Sequence, residues 1–234
     1  QGKEALDGGG LGYNGILGTR TVIGQQVGSF FGYKVEGIFQ NEADLERFPT
    51  RGGEVPGDLR YADINGDGVI TGADRTFIGD AIPDFTYGFT VGANYAGFDL
   101  TVEFNGQTGV DIWNAKKAAR FGIYNFEVSY LDRWTGTGTS TTEPRVTNGG
   151  HNYLPSERFV ENGDFMRLRN IVLGYTLPAE LTQRANISNL RFYVSGTNLV
   201  TWTDYSGYTP EIAGQNGGHL ALQQVLRVGP HPLH

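Results

Sequence analysis

The chain has 234 residues, of which 38% are hydrophobic and 12% aromatic, and this predicts one folded domain or two small ones rather than disorder. Its 36 glycines do not recur at every third position, which excludes a collagen helix. Eighteen basic and 25 acidic residues give a net charge of -7, which disfavours nucleic acid as a partner because phosphate contacts need clustered Lys and Arg. With no cysteine, disulfides, thiolate zinc sites and a cysteine nucleophile are excluded.

No window approaches the roughly 18 consecutive apolar residues of a membrane helix, so any contact with a bilayer would be made by strands. The sequence starts at Gln1 and its only methionine is Met166. We therefore expect a piece of a longer protein or a processed product.

Residues 1–40 are rich in Gly and Tyr with little alternation, which predicts loops and short extended segments. Residues 41–84 are expected to form an extracellular loop that begins with one short surface helix. Asn41 can cap this helix, acidic residues fill its first turn, and Pro49 stops it.

The strongest periodicity lies in residues 85–105, within a predicted strand region of residues 85–212. Apolar residues alternate with small polar ones from Phe85 to Tyr95 and again from Phe98 to Phe104. This predicts a β-hairpin with one apolar and one polar face. The apolar face would pack on a second sheet in a soluble sandwich, or face lipid in an outer-membrane barrel. In the barrel, the lipid-facing residues would include Phe89, Val91, Leu100 and Val102.

Residues 106–163 show no sustained strand period, which is unusual in a compact soluble domain. Bacterial barrels join their strands by long extracellular loops on one side and short turns on the other, so this asymmetry favours the barrel. Alternation resumes at Met166 and slips near Asn170, which predicts a bulge or a strand that continues beyond the bilayer. A further strand is predicted to start at Leu190.

Residues 213–234 form an atypical tail. Leu222, Val225 and Leu226 have helical spacing, and no aromatic residue follows Tyr208. We expect a short helix or an unrelated tail that supplies no closing strand, and hence unpaired sheet edges.

A calcium-loop pattern begins at Asp63, with Asn65 and Asp67 at the third and fifth positions. The Val69 carbonyl and Asp74, at the twelfth position, would complete a calcium site. Asp74 replaces the usual bidentate Glu, so the affinity should be modest and the ion structural. The alternative is a turn held by its own capping side chains.

Aromatic and polar residues in the long loop predict a ligand surface that stacks on sugar rings and hydrogen-bonds their hydroxyls. The predicted contacts are Trp113, Tyr124, Trp134, Asp111 and Arg133. The alternative is that these residues pack the loop onto itself or against a lid protein.

No catalytic residue is predicted, and we expect that the protein is not an enzyme. Asp99 and Glu103 share one strand face, but they are expected to line water rather than to carry out acid–base chemistry. Neither a Gly-x-Ser-x-Gly elbow nor a phosphate loop occurs, and the terminal His231-x-x-His234 has no acidic partner.

Several ordered blocks between about residues 20 and 212 resemble the C-terminal third of SusC/RagA-type TonB-linked outer-membrane transporters. These blocks are Gly28–Tyr33, Gly37–Gln40, Tyr61–Gly68, Asp74–Gly79, Pro83–Phe89, Arg158–Ile171, Leu173–Tyr175, Val194–Trp202 and Tyr205–Glu211.

The resemblance implies an all-β fold: antiparallel strands of a partial outer-membrane β-barrel, with long extracellular loops and few short helices. It also implies an importer of oligosaccharides or peptides in the bacterial outer membrane, energised by TonB and covered by a SusD-like lipoprotein. This piece would supply only the last few strands and their loops. The competing hypothesis is a secreted β-sandwich that binds carbohydrate and calcium, and a glycoside hydrolase fragment comes third.

Overall fold

The computed structural model describes residues 5–7, 18–119, 126, 128–183, 187–211 and 225–231. Most of the regular structure is antiparallel strand. The strands are β1 Ala5–Asp7, β2 Thr19–Val22, β3 Ser29–Tyr33, β4 Val35–Ile38, β5 Leu59–Tyr61, β6 Arg75–Gly79, β7 Phe85–Tyr95, β8 Phe98–Thr108, β9 Asp111–Trp113, β10 Val160–Asn162, β11 Phe165–Thr176, β12 Arg191–Thr203 and β13 Val225–His231.

The helices of the described residues are short. The α-helices are α1 Glu42–Arg47, α2 Ala115–Ala119 and α3 Ala179–Thr182, and the 3₁₀ helices are Gly72–Asp74, Val128–Asp132, His151–Tyr153 and Glu157–Phe159. The predicted surface helix is confirmed in α1, where the Asn41 side chain accepts a hydrogen bond from the Asp44 N–H and no helical residue is buried. None of the helices in the described ranges is long and apolar enough to cross a membrane.

The described residues divide into two compact units. The loop unit lies within residues 1–82, 110–162 and 206–211, and the sheet unit lies within residues 83–109, 163–205 and 225–231.

The sheet unit is one five-stranded antiparallel sheet with the order β13-β12-β11-β8-β7. The predicted hairpin is confirmed, because β7 and β8 pair from Phe85 opposite Thr108 to Tyr95 opposite Phe98. Ala96 and Gly97 form its two-residue turn with φ values of 48° and 85°, and two positive φ angles match the twist of a tight hairpin. β8 continues to Thr108, beyond the predicted start of the long loop at residue 106.

The phase slip near Asn170 is a β-bulge, which confirms one of the two predicted explanations. The register of β11 shifts between Leu168 and Asn170 against both β8 and β12. One extra residue reverses the alternation. As a result, Leu168 and Ile171 both follow the apolar face, opposite Phe104 and Val102 of β8.

The two faces of the sheet differ in chemistry, as the alternation predicted. On the apolar face the rings of Phe89 and Phe104 stack with centroids 4.9 Å apart, and Val91 lies opposite Val102. This face is largely uncovered, since Phe89 is 47% exposed and Val91 is 56% exposed. The sheet unit is therefore an open antiparallel segment, with β7 and β13 as its edges in the described residues, as expected for part of a barrel wall.

The expectation of a helical or unrelated tail is wrong for residues 225–231. These residues form β13, which pairs antiparallel with β12 from Arg191 opposite His231 to Thr197 opposite Val225. The edge of β12 offers a row of unpaired backbone groups that a strand can satisfy, and Gly229 and Pro230 disfavour a helix. Residues 213–224, including Leu222, lie outside the described residues.

The loop unit contains more regular structure than its sequence predicted. β1, β2, β3 and β6 form one sheet, and β4–β5 and β9–β10 form two small ladders. All five residues of β3 are buried, so no alternation marked this strand. Gly32 of β3 allows the close approach of the Pro155 backbone, where any Cβ would collide.

Two apolar clusters form the core of the loop unit. One contains Phe30, Trp113, Tyr153 and Phe159, and the other contains Tyr33, Ile38, Leu59, Tyr61 and Ile70. Residues Trp113, Tyr153 and Phe159 of the long segment between β8 and β11 belong to the first cluster, so these described parts of the segment are packed.

Candidate functional site

Three oxygen-bearing side chains on alternate residues curl one loop of the loop unit. Asp63 accepts hydrogen bonds from the Gly66 N–H at 2.7 Å and the Gly68 N–H at 2.8 Å. Asn65 accepts from the Asp67 N–H at 2.9 Å and donates through Nδ2 to Asp67 Oδ2 at 2.9 Å. Gly66 and Gly68 have φ values of 76° and 83°, a backbone region that favours glycine. The Asp63, Asn65 and Asp67 side chains therefore crowd together along this loop.

The Asp74 side chain holds the backbone of the same loop by hydrogen bonds. Its side chain is fully buried, and its oxygens accept the N–H groups of Thr71 at 2.6 Å, Ile64 at 3.1 Å and Asn65 at 3.4 Å. Burial alone would raise the pKa of Asp74, but these backbone hydrogen bonds outweigh burial and hold the pKa below its ordinary value. The Asp74 carboxylate is therefore a capping group for the backbone N–H groups of this loop.

The side-chain oxygens of this loop are of the chemical type that hard cations such as calcium prefer. Calcium takes six to eight oxygens, and Asp63, Asn65, Asp67 and the Val69 carbonyl offer donors on one curled loop. Within the described residues, no three His, Cys, Asp or Glu side chains converge. An ion here would therefore depend on amide and carbonyl oxygens, with Asp74 sharing oxygens that already accept N–H groups.

Among the predicted ligand residues that the structure describes, Trp113 lies in the core, whereas Trp134 and Arg133 are only partly buried. Trp113 has no exposed area and packs on Phe30 and Phe159 at ring distances of 6.1 Å and 5.5 Å. It therefore has no surface for a ligand and belongs to the core, as its alternative interpretation held. Asp111 accepts a hydrogen bond from the Asp80 N–H at 3.0 Å.

The other predicted ligand residues have different surroundings. Trp134 is half-buried, donates to Gln40 at 3.2 Å and covers Gly57, where a Cβ would collide with its ring. Arg133 donates to the Tyr130 carbonyl at 3.0 Å and lines a cavity of about 590 Å³ with Val128 and other apolar side chains. Tyr124 lies outside the described residues.

The polar face of the sheet unit carries its own charged groups. Arg191 of β12 donates to Asp99 of β8 at 2.9 Å, so Asp99 is neutralised rather than available for acid–base chemistry. Glu103 lies opposite Thr90 and Asn170. Asp99 and Glu103 therefore have different surroundings on the same face.

A buried polar network in the loop unit was missed at the sequence level. Asp58, 2% exposed, accepts from Arg145 Nε at 2.7 Å and from Asn152 Nδ2 at 2.9 Å. Asn152 in turn accepts from the Leu59 N–H at 2.8 Å. The partners lie 87 and 94 positions away from Asp58, so no local spacing could have indicated them.

The sequence is similar to curated receptors of one bacterium. It is 36% identical to TonB-dependent receptor P3 of Formosa agariphila over 195 residues, covering 82% of this chain and 19% of the receptor. It is 30% identical to receptor P26 of the same organism over 215 residues, covering 89% of this chain and 21% of that receptor. The chain thus spans about a fifth of the length of these relatives. No family model matches the sequence.

The fold is similar to solved structures of one transporter. The RagAB peptide importer in its closed-closed state matches 98% of this chain with a TM-score of 0.74 and 22% identity, over 25% of that protein chain. Its open-open state matches 91% of this chain with a TM-score of 0.71 and 24% identity, over 23% of that chain. At this identity the likeness shows a shared fold.

Proposed function

The chain corresponds to a segment of the SusC/RagA-type TonB-dependent receptors, and on that premise we propose that it forms part of the wall and loops of an outer-membrane importer. TonB-dependent receptors are outer-membrane proteins, and the sheet unit has the two-faced chemistry that such a wall requires.

The observation that carries this proposal is the uncovered apolar face of the sheet unit. Leu173 is 43% exposed and Phe192 is 50% exposed, and they continue the face that Phe89 and Val91 begin. Apolar patches of this kind are unusual on soluble monomers, but they are required where strands meet lipid.

Oligosaccharides or peptides are the proposed cargo, with a SusD-like lipoprotein and TonB as partners of the whole receptor. The similarity to the RagAB peptide importer supports a peptide. A glycan is supported by residue type alone, since Trp134 is only half-buried and aromatic rings suit sugar rings.

Calcium is the proposed structural ligand of the loop that starts at Asp63. The support is the contact of Asn65 with Asp67 and the hydrogen bond by which Asp63 curls the same loop. The ion would brace this loop rather than take part in chemistry.

Fractionation of the full-length receptor tests the proposed function. A barrel should sediment with outer membranes and should migrate faster in gels before boiling than after it. A freely soluble, heat-insensitive product would contradict the proposal.

The uncovered apolar face of the sheet unit also disfavours the competing β-sandwich. A sandwich would cover the inner face of its sheet with a second sheet about 10 Å away, whereas Phe89 and Val91 remain about half exposed. Recovery of the receptor from the periplasm or the medium would revive this alternative.

A further inference from the structure

A shallow groove opens at the end of the sheet unit away from the Ala96–Gly97 turn, and residues of both faces line it. Its volume is about 330 Å³, at the lower end of the range for small-molecule pockets. Its lining includes Tyr87, Thr108, Asp164, Met166, Trp202 and Asp204.

The floor of the groove is a fixed aromatic surface. The Tyr87 hydroxyl donates to the Phe165 carbonyl at 3.3 Å, and the ring crosses Gly106, where any Cβ would collide with it. Beside it, Met166 and Trp202 lie opposite each other in the β11–β12 register. Trp202 is 47% exposed, so one part of its ring remains open to a ligand.

Polar groups border this aromatic surface. The Thr108 hydroxyl donates to Asp164 Oδ2 at 2.7 Å, and the Thr203 hydroxyl donates to the Asp164 carbonyl at 2.8 Å. Asp164 is thereby held in place, and the next carboxylate, Asp204, is exposed.

The position of the groove indicates where its ligand comes from. Tyr87, Met166 and Trp202 lie on the side of the sheet that carries Phe89 and Val91. The groove is at the long-loop end of the strands, which in bacterial barrels is the outer end. This inference rests on the proposed function: with the long loops of the wall facing outward, the groove opens at the level of the outer-leaflet headgroups.

We propose that this groove binds the sugar headgroup of an outer-leaflet glycolipid. Trp202 stacks on the face of the sugar ring, and the carboxylates of Asp164 and Asp204 accept its hydroxyls. Two carboxylates at one site repel a phosphate headgroup, so an uncharged sugar fits better. Continuity with the lipid-facing surface favours a membrane glycolipid over a soluble saccharide.

Lipid retention by the full-length receptor tests this site. The purified receptor is incubated in micelles with equal amounts of a monoglucosyl diacylglycerol and phosphatidylglycerol, washed, and its retained lipids are counted by mass spectrometry. The glucosyl lipid should be enriched, and Trp202→Ala should reduce its retention about tenfold, which corresponds to about 1.4 kcal/mol.

Two control variants make the result specific. Trp202→Phe keeps an aromatic ring and should retain more glucosyl lipid than Trp202→Ala. Phe192→Ala removes an exposed ring from the same face at the opposite end of the sheet and should leave the enrichment unchanged. Heat-dependent gel migration confirms that each variant still forms a barrel.

Equal retention of the two lipids would overturn the proposal, as would equal losses in Trp202→Ala and Phe192→Ala. Displacement of the glucosyl lipid by free maltose would also contradict it, because the ligand would then be a soluble sugar. A receptor that never fractionates with outer membranes would instead refute the proposed function, so the two failures are distinguishable.

Discussion

Asp99 and Arg191 form an ion pair that bridges β8 and β12 across the strand between them. Gly174 of β11 lies opposite Asp99 and Tyr193 in the two ladders, and the guanidinium and carboxylate occupy the space above it. Because Gly174 has no side chain, Arg191 Nε can approach Asp99 Oδ1 to 2.9 Å. This contact joins three strands on the polar face of the sheet.

Filling that space should destabilise the sheet. A Cβ at position 174 would collide with both Arg191 and Asp99, so we expect Gly174→Ala to lower the free energy of unfolding by about 1–3 kcal/mol. The measurement is denaturant unfolding of the full-length receptor in detergent. Gly92→Ala is the matched control, because its Cβ would meet nothing closer than 3.8 Å. Equal losses in the two variants would show that the ion pair is not the cause.

A charged side chain introduced on the apolar face should lower the free energy of unfolding more than one introduced on the polar face. Val91→Arg is expected to lower the free energy of unfolding in lipid vesicles by about 2–4 kcal/mol if Val91 lies near the bilayer midplane. Thr90→Arg, on the opposite face of β7, is the control and should cost less. A negligible loss in Val91→Arg would argue against a lipid-facing orientation.

The calcium proposal predicts a specific loss of affinity. Asp67→Ala removes one carboxylate from the loop and should weaken calcium binding about tenfold in titration calorimetry of the full-length receptor, or by about 1.4 kcal/mol. Asp132→Ala, an exposed aspartate outside this loop, should leave the affinity unchanged. If Asp67→Ala binds calcium as tightly as the parent, the site is not at this loop.

Asp74 should make the stability of its loop depend on pH. Its pKa is lower in the folded state than its ordinary value of 3.8, so its contribution is present above that value and is lost as the pH falls through the folded pKa. At neutral pH, Asp74→Asn should lower the free energy of unfolding by about 1–3 kcal/mol, because backbone N–H groups lose a charged acceptor.

Hydrogen exchange at the Thr71 and Ile64 amides measures the effect. The difference between parent and Asp74→Asn should shrink as the pH is lowered below 3.8. A difference that stays constant over this range would mean that the carboxylate charge does not hold the loop.

Local patterns predicted the parts of the fold whose causes are local. The hairpin around Ala96–Gly97 was readable because each strand has two different faces, and the bulge beside Asn170 was readable because it reverses that alternation. The Asn41 cap was likewise evident from its immediate neighbours.

Features that depend on distant partners were not readable. β3 is buried on both faces, so Phe30 and Phe31 follow one another without alternation. Trp113 was assigned to a ligand surface because its residue type suits sugars, whereas its packing on Phe30 requires a chain reversal that no spacing reveals. β13 forms because the edge of β12 is available, which is a property of the sheet and not of residues 225–231.

Thiol labelling along β7 of the full-length receptor in native outer membranes tests the central claim most directly. Single cysteines are introduced at Thr86, Phe89, Thr90 and Val91, and because this chain has no cysteine, each is the only thiol of this segment; the unsubstituted receptor gives the background labelling. The barrel-wall account predicts that water-soluble maleimides label positions 86 and 90, while positions 89 and 91 react only with lipid-soluble reagents. Uniform labelling of all four positions, or the opposite alternation, would contradict it.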